Sequence, residues 1–191
     1  MRLILASTSP RRKELLTLLG VRFDIVAPPF VEQVAPNRSA EQQAVEFAVG
    51  KAKSCIELFP DALILGSDTL ISLGSEVLGK PADLADAESM LRRMAGQMHK
   101  IFTAVALAGS GTESCEVQVA EVSVTMKPLN EEALAAYLRT GDSLGKAGAY
   151  SIQGGGAALI ERIEGDYTAA VGLPLLSVAE MWRKRGMSCP V

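Results

Sequence analysis

The chain begins with a short apolar stretch that runs directly into the start of a helix. Residues 3–6 predict a buried strand, and Ser9 followed by Pro10 is typical of a helix N-terminus, because serine caps the first turn and proline suits the first helical position. Arg11 and Arg12 then fall in the first turn, where the helix dipole disfavours cations. Hydroxyl groups, backbone N–H groups and guanidinium groups at one helix end indicate an anion site. Two solvated arginines are the alternative.

Length and composition restrict the class of protein. The 191 residues are 48% hydrophobic and 5% aromatic, which favours a single α/β domain over residues 1–191. A net charge of −3 without a basic run argues against binding of polymeric nucleic acid, and no apolar run reaches the ~20 residues of a membrane span. Three scattered cysteines and one histidine cannot build a zinc site. We therefore expect a soluble, cytoplasmic protein.

A second informative segment places a carboxylate inside an apolar run. Residues 62–73 have the apolar density of a central strand, yet Asp68 lies in the middle, two residues after Gly66. A buried carboxylate must be neutral, paired or metal-bound, because an isolated buried charge is costly. Glycine in a strand indicates close backbone approach or a bulge. If the strand ended at Gly66, Asp68 would lie in a solvated turn. Because the apolar run resumes at Leu70, we favour a functional role.

Helical and strand patterns alternate along the rest of the chain. Ser39 and Gln42 form a capping-box signature, and the helix that follows carries apolar residues as far as Phe59. Two alternating runs, residues 101–107 and 117–126, predict an antiparallel hairpin.

The last third of the chain has a glycine-rich segment between further predicted elements. Residues 145–156 are interpreted as a flexible loop that bears a lysine, a tyrosine and a glutamine, either as a linker or as a place to read a base edge. Residues 157–163 and 167–171 predict another strand pair.

Several common catalytic motifs are absent from the sequence. It contains no Walker A motif, no GxGxxG after a strand and no GxSxG elbow, and the single histidine, His99, makes a Ser-His-Asp triad improbable. What remains is cations near loop and helix ends with Glu32 and Asp68 as isolated acids, which suits phosphoryl chemistry. No two carboxylates lie close together in these motifs, so a dinuclear metal site is not indicated.

Seven short motifs, taken in order, resemble the Maf family of nucleoside triphosphate pyrophosphatases. The set spans nearly the whole chain and is far more specific than any one motif. The motifs are STSPRR at 7–12, FVE at 30–32, KAK at 51–53, GSDT at 66–69, GKP at 79–81, KAGAYSIQG at 146–154 and VGLP at 171–174.

The resemblance implies both a fold and a reaction. The fold is a mixed α/β domain with a twisted sheet and two lobes around a central cleft, akin to the inosine triphosphate pyrophosphatases and often homodimeric. The reaction is hydrolysis of a nucleoside triphosphate to the monophosphate and pyrophosphate with a divalent cation, Mg or Mn. Asp68 would be the catalytic proton acceptor, and Asp68 and Glu32 would hold the metal. The substrate-binding residues would be Ser7, Ser9, Arg11, Arg12, Glu32, Lys51 and Lys80.

Three positions bear on substrate specificity. Arg11, Thr69 and Gln153 resemble the family's dTTP/UTP branch rather than its 7-methyl-GTP branch, which has a bulky residue, glutamine and glutamate there. A glutamine amide offers a donor and an acceptor, which matches the O4/N3–H edge of thymine or uracil. Modified pyrimidine nucleotides are further candidate substrates. The alternative is a nucleotide-binding regulator of cell division or septum formation with little turnover; an anion-binding domain without chemistry would leave Asp68 unexplained.

Overall fold

The computed structural model describes residues 2–109 and 115–187, and within these ranges seven strands form one sheet. The strands are β1 (Arg2–Ala6), β2 (Asp24–Val26), β3 (Ala62–Leu73), β4 (Glu76–Leu78), β5 (Met98–Gly109), β6 (Glu116–Met126) and β7 (Ile160–Glu164). The helices are α1 (Pro10–Leu18), α2 (Ala40–Lys53), α3 (Leu84–Met94), α4 (Glu131–Arg139), α5 (Tyr167–Val171) and α6 (Leu175–Lys184), with short 3-10 helices at Ala147–Ala149 and Gly155–Leu159.

The sheet is mixed, as the family resemblance implies. Its strand order is β2-β1-β3-β5-β6-β7, and β4 lies off this path, where it pairs with the last residues of β3. β1 runs parallel to both β2 and β3, whereas β3, β5, β6 and β7 pair in antiparallel fashion. The mixed α/β fold is therefore confirmed, with the parallel part built from the strand–helix–strand unit at the start of the chain.

The two faces of this sheet differ in the size of their side chains. Because neighbouring strand residues point to opposite faces, each strand supplies both. We call the side packed against α2 the small-residue face; its fully buried members are Ile4, Ala6, Ala62, Ile64, Ala104, Ala106 and Ala108. The opposite side, the large-residue face, packs against the other helices through Leu3, Leu5, Leu63, Leu65, Ile101, Val105 and Leu107.

α2 lies unusually close to β3. A Cβ atom at Gly66 would lie 2.8 Å from the backbone nitrogen of Ala52 and closer still to the carbonyl oxygen of Ala48. The close backbone approach predicted for Gly66 is therefore confirmed. β3 also continues through Asp68 to Leu73, so the alternative of a strand that ends at Gly66 is wrong.

Some predicted elements differ from the structure. Residues 167–171 form α5 rather than a strand, because the Asp166 side chain caps it by accepting hydrogen bonds from the backbone N–H groups of Thr168 and Ala169. α2 ends at Lys53, short of Phe59, and non-helical turns follow.

The glycine-rich segment is packed into the protein, not an open linker, since residues 148–151 are buried. The predicted hairpin of β5 and β6 is confirmed, while most of its turn and Cys189 lie outside the described residues. Within residues 2–109 and 115–187, no helix combines the length and apolar character needed to cross a bilayer.

Candidate active site

A cleft of about 750 Å³ opens where β1 ends and β3 continues past it. Its walls come from the loop before α1, the segment before α2, the middle of β3, the turn after β4, the glycine-rich segment and the end of α5. All ten residues predicted for the site line this one cleft; they are Ser7, Ser9, Arg11, Arg12, Glu32, Lys51, Asp68, Thr69, Lys80 and Gln153. Their individual roles stay predictions.

The loop before α1 is organised by its serines. Ser9 is the N-cap of α1 and its hydroxyl accepts from the Arg12 backbone N–H at 3.5 Å, with Pro10 at the first helical position. The Ser7 hydroxyl accepts from the Ser9 backbone N–H at 3.2 Å. Both serines therefore fix the start of the helix, and so aim Arg11 and Arg12 at the cleft.

Arg12 is held in place by several acceptors. Its Nε donates to the Gly172 carbonyl oxygen at 3.0 Å and its Nη2 to the Thr69 hydroxyl at 3.3 Å, while Nη2 lies 3.9 Å from Asp68 Oδ1. Its side chain is only 12% exposed, so the alternative of a solvated arginine is wrong at this position. Burial lowers the pKa of Arg12, although the charges of Asp68 and Glu32 oppose that shift.

Lys51 joins the two acids of the site. It lies on α2, and its Nζ is 2.5 Å from Asp68 Oδ1 and 2.6 Å from Glu32 Oε1. The Lys51 side chain is only 10% exposed, so it is not a solvated helix lysine. Glu32 and Asp68 are far apart in the sequence, which gives no sign that they lie close in space. In the structure both carboxylates contact the Lys51 ammonium group.

The environments of the two carboxylates separate their acidities. Burial raises the pKa of Asp68, and the charges of Lys51 and Arg12 only partly offset that rise. Glu32 is about half exposed; the desolvation it does suffer is outweighed by its hydrogen bond to Lys51 and by the charges of Lys51, Lys80 and Arg12, so its pKa is lowered. Asp68 is therefore the stronger base of the two, inside the cleft, and Glu32 is the more readily ionised carboxylate, nearer the solvent.

The donor set fits a hard divalent cation such as Mg or Mn. Among the described residues, no group of three or more His, Cys, Asp or Glu side chains comes together. Mg²⁺ is commonly bound through one or two carboxylates together with substrate phosphates, which matches Asp68 and Glu32. These two residues would hold the cation only when phosphate oxygens supply further ligands.

The glycine-rich segment brings two residues that the candidate set lacks. Lys146 lines the cleft and its Nζ is 2.8 Å from Asp142 Oδ1, and Tyr150 also lines it. The Tyr150 hydroxyl lies 2.6 Å from Nε2 of His99, which is buried. Both residues belong to the KAGAYSIQG motif at 146–154, so their place in that motif is the sequence signal that could have added them to the candidate set.

The segment is also tied to the turn after β4. The Gly148 backbone N–H donates to the Gly79 carbonyl oxygen at 3.0 Å, so Lys80 and Gln153 belong to connected parts of the wall. Among the lining residues that the structure describes, five cationic side chains accompany two carboxylates, in a chain with net charge −3. Such local concentration of cations on a mixed α/β fold defines a protein that binds a phosphate-rich ligand.

The chain belongs to the Maf family, since the family model described as "Maf-like protein" matches residues 2–185. It is 46% identical over 181 residues to a protein of Salmonella typhimurium, with 94% of this chain and 90% of that one covered. It is 45% identical over 185 residues to one of Symbiobacterium thermophilum (96% and 94% covered) and 40% identical over 185 residues to one of Geobacter metallireducens (97% and 96%). Each of the three is named dTTP/UTP pyrophosphatase.

A solved structure of the Ham1 protein from Staphylococcus aureus is similar with a TM-score of 0.43 at 10% identity, covering 66% of this chain and 72% of that one.

Proposed function

We propose that this protein hydrolyses dTTP and UTP, and modified pyrimidine nucleotides as further candidates, to the nucleoside monophosphate and pyrophosphate. The observation that carries the proposal is a buried carboxylate, Asp68, held between Lys51 and Arg12 in a cleft rich in cations. The names of relatives at 40–46% identity over most of the chain support the same substrates.

The chemistry follows from the arrangement of charge. A water molecule attacks the α-phosphorus, the bond from that atom to the bridging oxygen breaks, and pyrophosphate leaves with the bond electrons. Asp68 accepts the proton of the water, and its raised pKa makes it a better base than an ordinary aspartate. Arg11, Arg12, Lys51 and Lys80 neutralise the triphosphate and its leaving group.

Asp68 and Glu32 are proposed to hold a divalent cation, Mg or Mn. When bound, such a cation supplies Lewis-acid charge neutralisation and lowers the pKa of a coordinated water. Because Lys51 contacts both carboxylates, we expect it to turn toward the phosphates when the cation and substrate bind together.

Base recognition is assigned to the glycine-rich segment, where Gln153 lines the cleft. Gln153 would pair with the O4/N3–H edge of uracil or thymine, and Arg11 and Thr69 complete the specificity set. We also propose that the protein acts in the cytoplasm as a homodimer, which light scattering on the purified protein would check.

Product analysis tests the proposed reaction. Purified protein with Mg or Mn and a panel of nucleoside triphosphates is expected to release pyrophosphate and the monophosphate from dTTP and UTP. The variant Asp68→Asn should lose activity by roughly 10²–10⁴-fold, the usual contribution of a general base. Asp61→Asn, an exposed aspartate just before β3, is the matched control and should retain it.

Two other outcomes would redirect the assignment. Orthophosphate instead of pyrophosphate would mean cleavage at a different bond. Tight nucleotide binding without turnover would favour the regulator of cell division, whose cleft would serve recognition alone.

A further inference from the structure

A threonine outside the cleft contacts one of its walls. Thr103 of β5 is fully buried and lies opposite Thr69 of β3 in the antiparallel register. Its hydroxyl is 2.8 Å from the carbonyl oxygen of Ala169 and 3.0 Å from the Thr69 hydroxyl. A buried hydroxyl needs such partners, because leaving it unpaired is costly. The Ala169 carbonyl lies in the last turn of α5, where a helix leaves its carbonyls without intrahelical partners.

The ends of this hydrogen-bond chain determine the direction of every bond in it. A carbonyl oxygen only accepts and a guanidinium group only donates. Thr103 must therefore give its single proton to Ala169, so its oxygen can only accept from Thr69. The Thr69 proton is then committed to Thr103, and the Thr69 oxygen is left to accept from Nη2 of Arg12 at 3.3 Å.

We propose that Thr103 is a positioning residue that fixes the Thr69 hydroxyl as a hydrogen-bond acceptor toward both Arg12 and the cleft. Thr69 lines the cleft, and a hydroxyl oxygen has two lone pairs, so one stays available to a ligand after Arg12 has used the other. Without Thr103, the Thr69 hydroxyl could turn and donate instead.

The consequence for the ligand rests on the proposed function. An acceptor cannot bind ionised phosphate oxygens, so Thr69 meets a hydrogen-bond donor of the nucleoside. dTTP and UTP share two such donors: the base N3–H, which Thr69 would share with the amide oxygen of Gln153, and the ribose 3′-hydroxyl. The shared chemistry is a nucleoside donor, and substrates that lack one or the other distinguish the two sources.

The direction of the hydrogen bonds from Arg12 through Thr69 and Thr103 can be measured without any substrate. A neutron crystal structure of the deuterium-exchanged wild-type protein should place the Thr103 deuteron toward Ala169 and the Thr69 deuteron toward Thr103. A Thr69 deuteron directed into the cleft, or a Thr103 deuteron directed at Thr69, would overturn the proposal. This result does not depend on the enzyme's activity, so it separates the proposal from the proposed function.

Kinetics test whether Thr103 acts through Thr69. Thr103→Val keeps the shape and removes the hydroxyl, and we expect kcat/KM for UTP to fall by roughly 3–10-fold, the size of one hydrogen bond in a network. Thr103→Ser should retain near wild-type activity. In a Thr69→Val background, Thr103→Val should cause no further loss. Thr125→Val on β6, outside the cleft lining, is the control and should leave kcat/KM unchanged.

An equal loss in the Thr69→Val background, or a Thr103→Ser variant as poor as Thr103→Val, would overturn the positioning role. The ligand part is tested with CTP, which lacks the N3–H, and with 3′-deoxythymidine triphosphate, which lacks the 3′-hydroxyl. Thr103→Val should lower the ratio of kcat/KM for UTP to that for CTP, or the ratio of kcat/KM for dTTP to that for 3′-deoxythymidine triphosphate. If both ratios are unchanged, the ligand assignment is overturned. Wild-type protein that turns over no nucleotide would instead contradict the proposed function, whatever the neutron structure gives.

Discussion

The small-residue face and the large-residue face of the sheet supply different chemistry to the same cleft. On the first, alanines and Gly66 let α2 lie against β3, so the Lys51 ammonium reaches Asp68 across a short gap. On the second, bulky side chains pack between the sheet and the other helices, and polar groups meet through hydroxyls: Arg12 contacts Thr69, and Thr69 contacts Thr103.

The difference shows how side-chain size sets the kind of polar contact a sheet can make. Consecutive residues Asp68 and Thr69 point to opposite faces, so one strand delivers a carboxylate to a lysine and a hydroxyl to an arginine. The small-residue face therefore holds the charge pair that would do the chemistry. The large-residue face holds Arg12, whose Nη2 lies 3.9 Å from Asp68 Oδ1, together with neutral groups, including His99 with Tyr150, that position the walls.

The largest expected effect concerns stability, and it belongs to the large-residue face. Burial lowers the pKa of His99 to about 4, below its usual 6.5, so the folded protein favours the neutral imidazole. That contribution is complete above pH 6.5 and is lost as the pH falls toward 4. It amounts to roughly 3 kcal/mol between these limits.

Urea unfolding at pH 7 and pH 4.5 checks this prediction. The wild-type free energy of unfolding should fall more than that of His99→Gln, by roughly 2–3 kcal/mol. His99 is the chain's single histidine, so no other imidazole contributes. Tyr150→Phe keeps the imidazole and should keep the pH sensitivity. Equal pH sensitivity in wild type and His99→Gln would contradict the prediction.

Much of this comparison could be predicted from the sequence, because local signals were strong where they concerned one element. The N-cap at Ser9, the position of Asp68 inside a strand and the close approach at Gly66 are all predicted and all found. Each depends on a short run of residues whose conformational preferences agree. The residues of the candidate site could be named because the seven motifs together, in their order along the chain, resemble one family.

What the sequence did not predict depends on contacts between distant segments. The Arg12–Thr69–Thr103 chain joins α1, β3 and β5, and nothing in the alternating run of β5 separates Thr103 from an ordinary strand threonine. The pattern of residues 167–171 predicts a strand because the apolar residues are too few to show a helical period, whereas the Asp166 cap makes the segment a helix.

A second prediction concerns the close approach of α2 to β3 on the small-residue face, which a substitution at Gly66 would disturb. Gly66→Ala adds a methyl group against the backbone of Ala48 and Ala52, which cannot yield as a flexible side chain would, so α2 must move. We expect the free energy of unfolding to fall by about 1–3 kcal/mol, as for an overpacked core, and activity to fall because Lys51 moves with the helix. Gly79→Ala meets open space and is the control for urea unfolding. Full stability and activity in Gly66→Ala would mean that the spacing of α2 is not needed.

The smallest expected effect is a shift in the pH dependence of activity, and it tests the role of the Lys51–Asp68 pair. Lys51→Met removes the ammonium that favours ionised Asp68, so the pKa of Asp68 should rise further above its already raised value. If Asp68 accepts the proton, the acidic limb of kcat/KM against pH should move to higher pH by roughly one unit. Lys53→Met, two residues along α2 and exposed, should leave the limb in place. A limb that stays put in Lys51→Met, alongside a lower rate, would assign the titration to another group and leave Asp68 as a metal ligand alone. Because burial raises the pKa of Asp68 by more than Lys51 lowers it, the limb should lie above that of an ordinary aspartate in both proteins.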